Sequence, residues 1–505
     1  MKKVREKVNI LMEKPGVLRV LKVLEALAYI ILFSQMVLNL GDSGEAAYQT
    51  YKDRYIAIAM VYFMLTILIL QRVRLITVLN IIVVVVLCFV AKWKMEPMLE
   101  APDVYNILKA KWTCIVLMSV SLIDMIRYKK IATWKEREPV LTVFYVIASV
   151  LAYLLGKGTC YSYMMLVPII LLFLLRIREA DYQRWIFYFT VGYYVAFLYV
   201  MIKSFITVPY TGERYYGIYV NLGLFGMFMG GAFVCALWWL IMLIKRKAPL
   251  WTKIAVSVLI VFPIVCNLLN GARVSELGII VVGVLAICIW GLGNNKKKAK
   301  KRIIILFIVA AVVAAGGFTF LYIMSTYDKE TLKELVSNEI ILKRLLYWND
   351  KATKVFGMKS CYGVIKGGTL INALDHYSSG RISHWIMYLK EADFKPAKYW
   401  EIDVGTFVMA HPHNIYIYWI YGMGWLPGTV LTAWTFTYFA RTIQEFKKRN
   451  DIVILVFLWM LYYIVIGINE NPLWFTPEGY AILMLYYPII VKMFKKKTKK
   501  GEADG

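Results

Sequence analysis

Residues 217–244 read GIYVNLGLFGMFMGGAFVCALWWLIMLI and include no charged side chain. An α-helix of about 20 apolar residues crosses a hydrocarbon core of roughly 30 Å. In lipid such a segment has to be helical, because backbone groups left unpaired there are strongly unfavourable. Similar windows recur along the chain, in which 60% of the residues are hydrophobic and the mean hydropathy is +0.61. The sequence therefore predicts an all-α fold, a polytopic integral membrane helical bundle.

The charged residues alternate with these apolar windows along the chain. The chain has 59 lysines and arginines against 32 acidic residues, which gives a net charge of +27. The basic residues cluster in short runs between apolar windows, as at 245–247, 296–302 and 495–500. Such runs mark the cytoplasmic ends of membrane helices, where anionic headgroups attract them. The charge therefore indicates the lipid bilayer as a partner, and we expect no nucleic acid, because no basic groove with interleaved aromatic residues accompanies it.

Holding the basic runs in the cytoplasm predicts about 14 transmembrane helices, with 12 as the alternative count, and both termini on that side. The predicted spans are 17–40, 55–71, 75–93, 111–127, 139–156, 161–177, 184–206, 217–244, 251–270, 275–292, 303–324, 413–440, 452–468 and 477–494. Residues 1–324 then carry helices 1–11, residues 413–494 carry helices 12–14, and residues 495–505 are a basic cytoplasmic tail.

One large extracytoplasmic loop, residues 325–412, separates these two groups of predicted helices. Within it, residues 331–356 have mixed charges and apolar residues at helical spacing, which predicts a surface helix. Residues 378–391 also have a helical pattern. A long ordered loop beside a membrane bundle is usually functional, as a lid or a binding element.

All four histidines of the chain lie between residues 376 and 413, where this loop returns to apolar sequence. The last two, His411 and His413, are separated by a single proline. Histidine has the side-chain pKa nearest neutrality, which suits proton transfer from a hydroxyl group. Two alternatives stay open: capping of the helix that follows, and metal ligation together with Asp403 or His384.

Three arginines on the predicted outer side, Arg214, Arg273 and Arg381, oppose the usual distribution of charge across a membrane. Each lies near a glycine, which allows a ligand to approach the backbone closely. Guanidinium groups bind phosphates through two parallel hydrogen bonds and keep their charge when partly buried. The three arginines therefore suit a lipid-linked pyrophosphate, although headgroup contacts or helix-end ion pairs are the alternative. Tyr216, near the first of them, suits stacking on a sugar ring or anchoring at the membrane interface.

The order of these residues resembles the O-antigen ligase and O-antigen polymerase superfamily of bacterial envelope glycosyltransferases. The matching elements, in chain order, are Arg214-Tyr-Tyr-Gly217, Ala272-Arg273-Val274, Gly380-Arg381 with Trp385, and His413-Asn414 followed by Gly424. The match covers residues 214–428, less than half of the chain. It departs from the family at Ala272, where a serine is usual, at Pro427, where a second glycine is usual, and at 396–405, which replaces a glycine-rich stretch.

The resemblance implies a helical membrane bundle that uses a glycan on polyprenyl pyrophosphate as donor and a second glycan as acceptor. It implies no cofactor and no metal. The residues that it implies as catalytic are His413 as the base for the acceptor hydroxyl, Arg214 and Arg273 on the pyrophosphate, and Arg381 on the donor. The residues that it implies for substrate binding are His411, Asn414, Trp385 and Tyr216.

We therefore expect a polysaccharide polymerase that joins lipid-linked oligosaccharide repeat units on the outer face of the bacterial cytoplasmic membrane and inverts the anomeric configuration. Flippase and chain-length regulator proteins are the expected protein partners. Alternatives are a ligase that transfers the glycan to another envelope acceptor, a flippase for lipid-linked oligosaccharides, and a non-catalytic scaffold. Transport is less favoured because few acidic residues lie deep within the predicted helices and no inverted repeat is visible.

Overall fold

The regular structure in the described part of the chain is helical, apart from one two-residue strand pair, Ile402–Asp403 with Val408–Met409, and an isolated antiparallel bridge between Ile131 and Leu175. The structure, a computed structural model, describes residues 15–42, 68, 82, 85–86, 119–123, 125–127, 129–156, 172–211, 214–219, 222–291, 319–320, 322–356, 371–372, 374–375, 378, 380–397, 402–403, 408–409, 412–446, 451–470 and 477–493. The main helices are α1 (Pro15–Asp42), α2 (Pro139–Gly156), α3 (Glu179–Thr207), α4 (Leu222–Lys245), α5 (Leu250–Asn270), α6 (Arg273–Gly291), α7 (Lys329–Leu335), α8 (Glu339–Phe356), α9 (Arg381–Glu391), α10 (Ile415–Met423), α11 (Trp425–Phe446), α12 (Asp451–Gly467), α13 (Pro477–Leu485) and α14 (Tyr487–Ile490).

Three of the described helices, α3, α4 and α5, are long and apolar enough to cross a membrane. Their observed bounds agree with the predicted spans to within about five residues, an error expected where hydropathy alone sets helix ends. The predicted spans 55–71, 75–93, 111–127, 161–177 and 303–324 fall wholly or largely outside the described residues. The all-helical prediction is therefore confirmed for the described residues, whereas the count of 14 spans stays a prediction.

Two predicted spans are wrong as continuous helices. The span 413–440 is divided at Gly424, which has a φ of +90° and ends α10 before α11 begins. A Cβ atom on this glycine would lie 2.4 Å from the carbonyl oxygen of Phe394, so the close approach of another segment also requires glycine here. The span 477–494 is divided at Tyr486 into α13 and α14.

Helix α4 is the centre of the bundle and packs against α3, α5, α6 and α12. Close packing depends on small residues, because a Cβ atom on Gly230 would lie 1.9 Å from the Tyr462 hydroxyl oxygen and one on Gly278 would lie 2.7 Å from the same ring. That hydroxyl group donates to the carbonyl of Met227 over 3.0 Å. One aromatic side chain of α12 therefore joins α4 and α6 through both packing and a hydrogen bond.

The bundle has two ends that are defined by α3, whose 29 residues extend over about 43 Å. Near the first end, which begins at Glu179, Lys245 at the end of α4 pairs with Asp451 at the start of α12. At the second end, the hydroxyl group of Ser204 accepts a hydrogen bond from the backbone N–H of Ile218 over 3.1 Å. The separation exceeds the roughly 30 Å of a hydrocarbon core, as a membrane-spanning bundle requires.

Helix α5 presents an apolar face outward from the described residues. Its exposed side chains recur at helical spacing, namely Trp251, Ile254, Val258, Val261, Val265 and Leu268. In a soluble protein such a stripe would favour aggregation, whereas in a bilayer it is compatible with lipid. The stripe therefore agrees with the membrane location that the composition indicates.

The predicted loop contains the helices that its sequence pattern indicates. Residues 331–356, predicted as one surface helix, form two, α7 and α8, with a break after Leu335, and residues 378–391 correspond to α9. The side-chain amide of Asn349 fixes α8 by donating to the carbonyls of Met324 and Tyr327, each over 2.7 Å. Ring contact between Tyr388 and Tyr421 joins α9 to α10. The location of these helices on the outer side stays a prediction.

Candidate functional site

A cavity of about 510 Å³ lies at the second end of the bundle, and we call it the arginine cavity. Its lining residues are Arg214, Leu222, Gly223, Met227, Ala272, Arg273, Val274, Ser275, Leu277, Ser378, Arg381, His413, Asn469 and Glu470. The four residues predicted as catalytic, Arg214, Arg273, Arg381 and His413, all belong to this set. Because they come from four distant segments of the chain, their common location depends on the tertiary fold.

Arg214 is held at the C-terminal end of α5. Its Nη2 donates to the carbonyl of Gly271 over 2.8 Å, and its Nε donates to the carbonyl of Asn270 over 3.4 Å. The last carbonyls of a helix lack partners within the helix and carry partial negative charge, which favours a cation at this position. The side-chain amide of Asn270 donates in turn to the carbonyl of Tyr215 over 2.7 Å and so fixes the backbone beside the arginine.

The guanidinium of Arg214 lies in a positively charged environment. Burial is the main cause that lowers the pKa of Arg214, and the charges of Arg273 and Arg344 act in the same direction, while Tyr347 and Glu276 oppose them. An arginine keeps its proton despite such a shift. The three arginines outnumber Glu276, the one carboxylate among these neighbours, so this part of the cavity favours an anionic ligand.

Arg273 is the first residue of α6, directly after the turn formed by Gly271 and Ala272. Gly271 has a φ of +65°, in the left-handed region that glycine adopts readily, and it ends α5. The hydroxyl group of Ser275 contacts the side-chain amide of Asn267 at 2.7 Å and the Tyr462 hydroxyl oxygen at 3.2 Å. This buried network joins α5, α6 and α12 and thereby fixes the position of Arg273 in the cavity wall.

Glu470, which follows α12, joins the other two predicted catalytic residues. Its Oε1 accepts a hydrogen bond from Nη2 of Arg381 over 2.5 Å, and its Oε2 lies 3.1 Å from Nδ1 of His413. Arg381 also donates to the carbonyl of Asn469. All three side chains are largely buried, with exposures of 19% for Arg381, 29% for His413 and 13% for Glu470. A carboxylate at this distance fixes both the tautomer and the orientation of an imidazole ring.

His413 has a φ of +51°, a conformation that residues other than glycine seldom adopt. It precedes the cap of α10, which is formed by Asn414. The Oδ1 of Asn414 accepts hydrogen bonds from the backbone N–H groups of Tyr416 and Ile417 over 3.0 and 3.1 Å, and its Nδ2 donates to the carbonyl of Ile468 over 2.9 Å. The cap therefore ties the histidine to the segment that carries Glu470.

The residues predicted to bind substrate are not gathered in the same way. Asn414 functions as a helix cap and does not line the arginine cavity, and neither do Trp385 and Tyr216. Tyr216 is 47% exposed, as expected of a residue at an interface. His411 lies outside the described residues. The residues predicted as catalytic therefore line one cavity, whereas the described residues predicted for substrate binding do not, and both sets of roles stay predictions.

His384, on α9, stacks beside the candidate base, with its ring centroid 5.9 Å from that of His413. Burial lowers the pKa of His384 to about 4, helped by the nearby His413 and Arg381 and opposed by Asp375. This histidine is therefore neutral near pH 7. A neutral ring at this position adds no positive charge beside the candidate base.

Sequence reasoning missed two residues of this region, Glu470 and Arg344. Glu470 stands in a short polar turn at the end of an apolar window, and nothing in that position signals its pairing with Arg381 and His413, which lie 89 and 57 residues away. Arg344 belongs to α8, and its Nη2 donates to the carbonyls of Leu268 and Leu269 over 3.2 and 3.3 Å. Its place in an amphipathic segment gave no reason to distinguish it from other surface charges.

Comparison with known proteins finds no family model that matches the chain and no curated protein that matches it. The likeness to the O-antigen ligase and polymerase superfamily therefore depends on the order of its motifs. The geometry of the arginine cavity is a separate observation, because the motif order does not by itself require the four residues to meet. A functional proposal has to be argued from the two together.

Proposed function

We propose that the chain is a membrane glycosyltransferase that polymerises lipid-linked oligosaccharide repeat units at the outer face of a bacterial cytoplasmic membrane. The observation that carries the proposal is the convergence of Arg214, Arg273, Arg381 and His413 on one cavity at one end of the bundle. These are the four residues that the family resemblance implies as catalytic. The cavity combines several cations with a histidine, which is the set of groups that transfer from a pyrophosphate donor requires.

The proposed donor is a glycan on polyprenyl pyrophosphate, with its pyrophosphate bound by Arg214 and Arg273. Both guanidinium groups line the cavity, and the first is already held by backbone carbonyls. Arginine forms paired hydrogen bonds to phosphate oxygens and stabilises the charge that develops as the sugar–phosphate bond breaks. The polyprenyl chain would remain in the bilayer beside the apolar helices.

His413 is the proposed general base. Its Nδ1 lies 3.1 Å from Glu470, so an Nδ1–H that donates to this carboxylate leaves the lone pair on Nε2 to accept the proton of the acceptor hydroxyl. The acceptor oxygen then forms a bond to the anomeric carbon, and the bond from that carbon to the phosphate oxygen breaks. The electron pair leaves with the pyrophosphate, and a single displacement of this kind inverts the anomeric configuration.

The test is polymer length, together with extracted lipid-linked intermediates, in cells that produce His413→Ala, Arg273→Ala or Arg381→Lys. Surface expression of every variant is measured in parallel. The matched control is Lys203→Gln, which removes an exposed cation near the same end of the bundle but outside the cavity. The proposal predicts loss of long polymer in the three cavity variants, with single repeats accumulating on outer-leaflet lipid, and normal polymer in the control.

Other outcomes assign other functions. Accumulation of long polymer that stays on its lipid would identify a ligase, because polymerisation would then precede the blocked step. Repeats retained on the cytoplasmic leaflet would identify a flippase. Wild-type polymer from a well-expressed His413→Ala variant would exclude His413 as the catalytic base.

A further inference from the structure

We propose that a second cavity, at the opposite end of the bundle, binds a phosphate group. It has a volume of about 450 Å³, and we call it the lysine cavity. Its lining residues are Lys129, Lys130, Glu136, Arg176, Ile177, Arg178, Glu179, Tyr487, Val491, Lys492 and Met493. The proposal does not depend on the transfer reaction, because no residue of this cavity belongs to the arginine cavity.

The cavity wall is a built structure in which separate segments are hydrogen-bonded to one another. The segment around Lys130 runs antiparallel to the segment around Arg176, with the backbone N–H of Arg176 donating to the carbonyl of Lys130 over 2.6 Å. The Tyr487 hydroxyl group also contacts the backbone N–H of Ile177. Three parts of the chain that are distant in sequence are thus held around one space.

The lining carries an excess of positive charge. Five basic side chains against two carboxylates leave a net charge of +3. Arg176 is paired with Glu136 at 3.1 Å, and Arg178 is paired with Asp181 at 2.6 Å. Asp181 lies outside the lining, and counting it lowers the net charge to +2. Lys129 and Lys492 contribute exposed ammonium groups, which are common ligands of phosphate.

The lysines are positioned by the backbone. Lys129 and Lys492 have φ values of +51° and +44°, a region that residues other than glycine seldom adopt, and both line this cavity. Lys130, the residue after Lys129, is only 9% exposed. After each of these two lysines the next backbone N–H donates to a carbonyl five residues earlier, at Met125 and Pro488, so the conformation ends a helix and fixes where each lysine stands.

The location indicates two sources for the phosphate group. The cavity lies at the end of the bundle where α3 begins, next to the basic runs that the positive-inside rule assigns to the cytoplasm. Basic pockets between membrane helices on that side bind anionic lipid headgroups. A soluble phosphate ester in the cytoplasm has the same chemistry. The volume is large enough for a glycerol phosphate headgroup and exceeds that of a single phosphate ion.

The test uses the purified full-length chain in detergent and measures bound ligand by native mass spectrometry. The probes are phosphatidylglycerol, phosphatidylcholine and glycerol 1-phosphate. The test variant is Lys129→Gln with Lys492→Gln, and the matched control is Lys247→Gln with Lys253→Gln, which removes two basic residues near the same end but outside the cavity. A third variant, Lys129→Arg with Lys492→Arg, keeps the charge and checks that substitution alone is tolerated.

We expect the test variant to retain phosphatidylglycerol at least roughly tenfold less than the control, and the arginine variant to retain it normally. Displacement of the lipid by glycerol 1-phosphate, with the same dependence on the two lysines, would assign the site to a soluble ester. Equal retention of phosphatidylglycerol and phosphatidylcholine would overturn the proposal. The proposal would also be overturned if the test variant bound phosphatidylglycerol and glycerol 1-phosphate as well as the control variant does.

Discussion

Glu470 carries the most specific prediction at the scale of single residues. Replacement by glutamine keeps the size of the side chain and removes the charge that faces Arg381 and His413. Because a positioned carboxylate stabilises the imidazolium that forms during proton transfer, we expect kcat of Glu470→Gln to fall by roughly a hundredfold with little change in KM. The measurement is the rate of polymer formation by membranes supplied with lipid-linked repeats, as a function of pH.

A positioning role also predicts that Glu470→Asp recovers part of the rate, since the charge is retained. Equal loss of rate in Glu470→Gln and Glu470→Asp, together with a loss of folded protein in both, would mean that the carboxylate is only structural.

His384 gives a prediction about stability and pH. The folded protein holds the pKa of this side chain at about 4, whereas an exposed histidine titrates near 6.5. As the pH falls through this window the unfolded chain takes up a proton that the folded chain does not, so stability is lost between about pH 6.5 and pH 4. The loss is at most about 3 kcal/mol and smaller in practice, because the residue is half-buried and solvent screens its charge.

The measurement is Tm in detergent from pH 7 to pH 4 for the wild type and for His384→Asn. The variant should lose less of its Tm on acidification than the wild type does. Parallel curves for the two proteins would show that His384 does not contribute to the acid sensitivity.

The sequence allowed the cationic part of the site to be predicted, but not its acidic part. Arg214, Arg273 and Arg381 could be identified because each is an arginine on the predicted side of the membrane where arginines are unusual. Glu470 could not be assigned a role, because its partners lie 57 and 89 residues away in the sequence and only the folded chain brings them together. Capping of the following helix was an alternative for the two histidines, and the hydrogen bonds of the fold show that the cap of α10 is Asn414 instead.

Among the secondary-structure elements, the docking of α8 on α5 depends on Arg344. Its guanidinium donates to the carbonyls of Leu268 and Leu269, and hydrogen bonds from a charged donor are worth about 1.5–3 kcal/mol each. We expect Arg344→Ala to raise the rate of backbone hydrogen exchange in α8 by at least about tenfold, because the helix detaches more often. The neighbouring Lys343→Ala is the matched control, since the ion pair of Lys343 with Glu339 lies within α8 itself.

Equal exchange in Arg344→Ala and Lys343→Ala would contradict the docking role. The same comparison, made with polymer length as the readout, would show whether docking of α8 matters for activity. Arg344 lies outside the lining of the arginine cavity, so we expect the activity to fall less than it does in Arg273→Ala.

The hydropathy pattern predicted the positions of helices more accurately than the positions of the breaks between them. The predicted span 251–270 agrees with α5, Leu250–Asn270, because a long apolar segment in lipid has no alternative to a helix. The span 413–440 is also predominantly apolar, but the left-handed conformation of Gly424 and the nearby backbone of Phe394 divide it. A hydropathy window averages over such a position, and the contact that requires the break comes from a separate part of the chain.

For the whole molecule, the two cavities predict which residues face each side of the membrane. The arginine and lysine cavities lie at opposite ends of a bundle that is longer than the hydrocarbon core is thick. Tyr216, which is 47% exposed, marks the end with the arginine cavity, and the exposed Lys129 marks the end with the lysine cavity. We expect a membrane-impermeant maleimide to label Tyr216→Cys in intact cells and to label Lys129→Cys only after permeabilisation. The unsubstituted chain gives the background from native cysteines, of which Cys235 and Cys266 are buried.

The opposite labelling pattern would mean that the bundle has the reverse orientation in the membrane, with the arginine cavity open to the cytoplasm. Lipid-linked repeats that have already crossed the membrane could not then reach His413, and the proposed polymerase would be excluded whatever the chemistry of its cavity. Labelling of both positions in intact cells would instead contradict a bundle that spans the membrane between the two cavities. The sidedness of Tyr216 and Lys129 therefore decides whether the geometry of the arginine cavity is available to the substrate proposed for it.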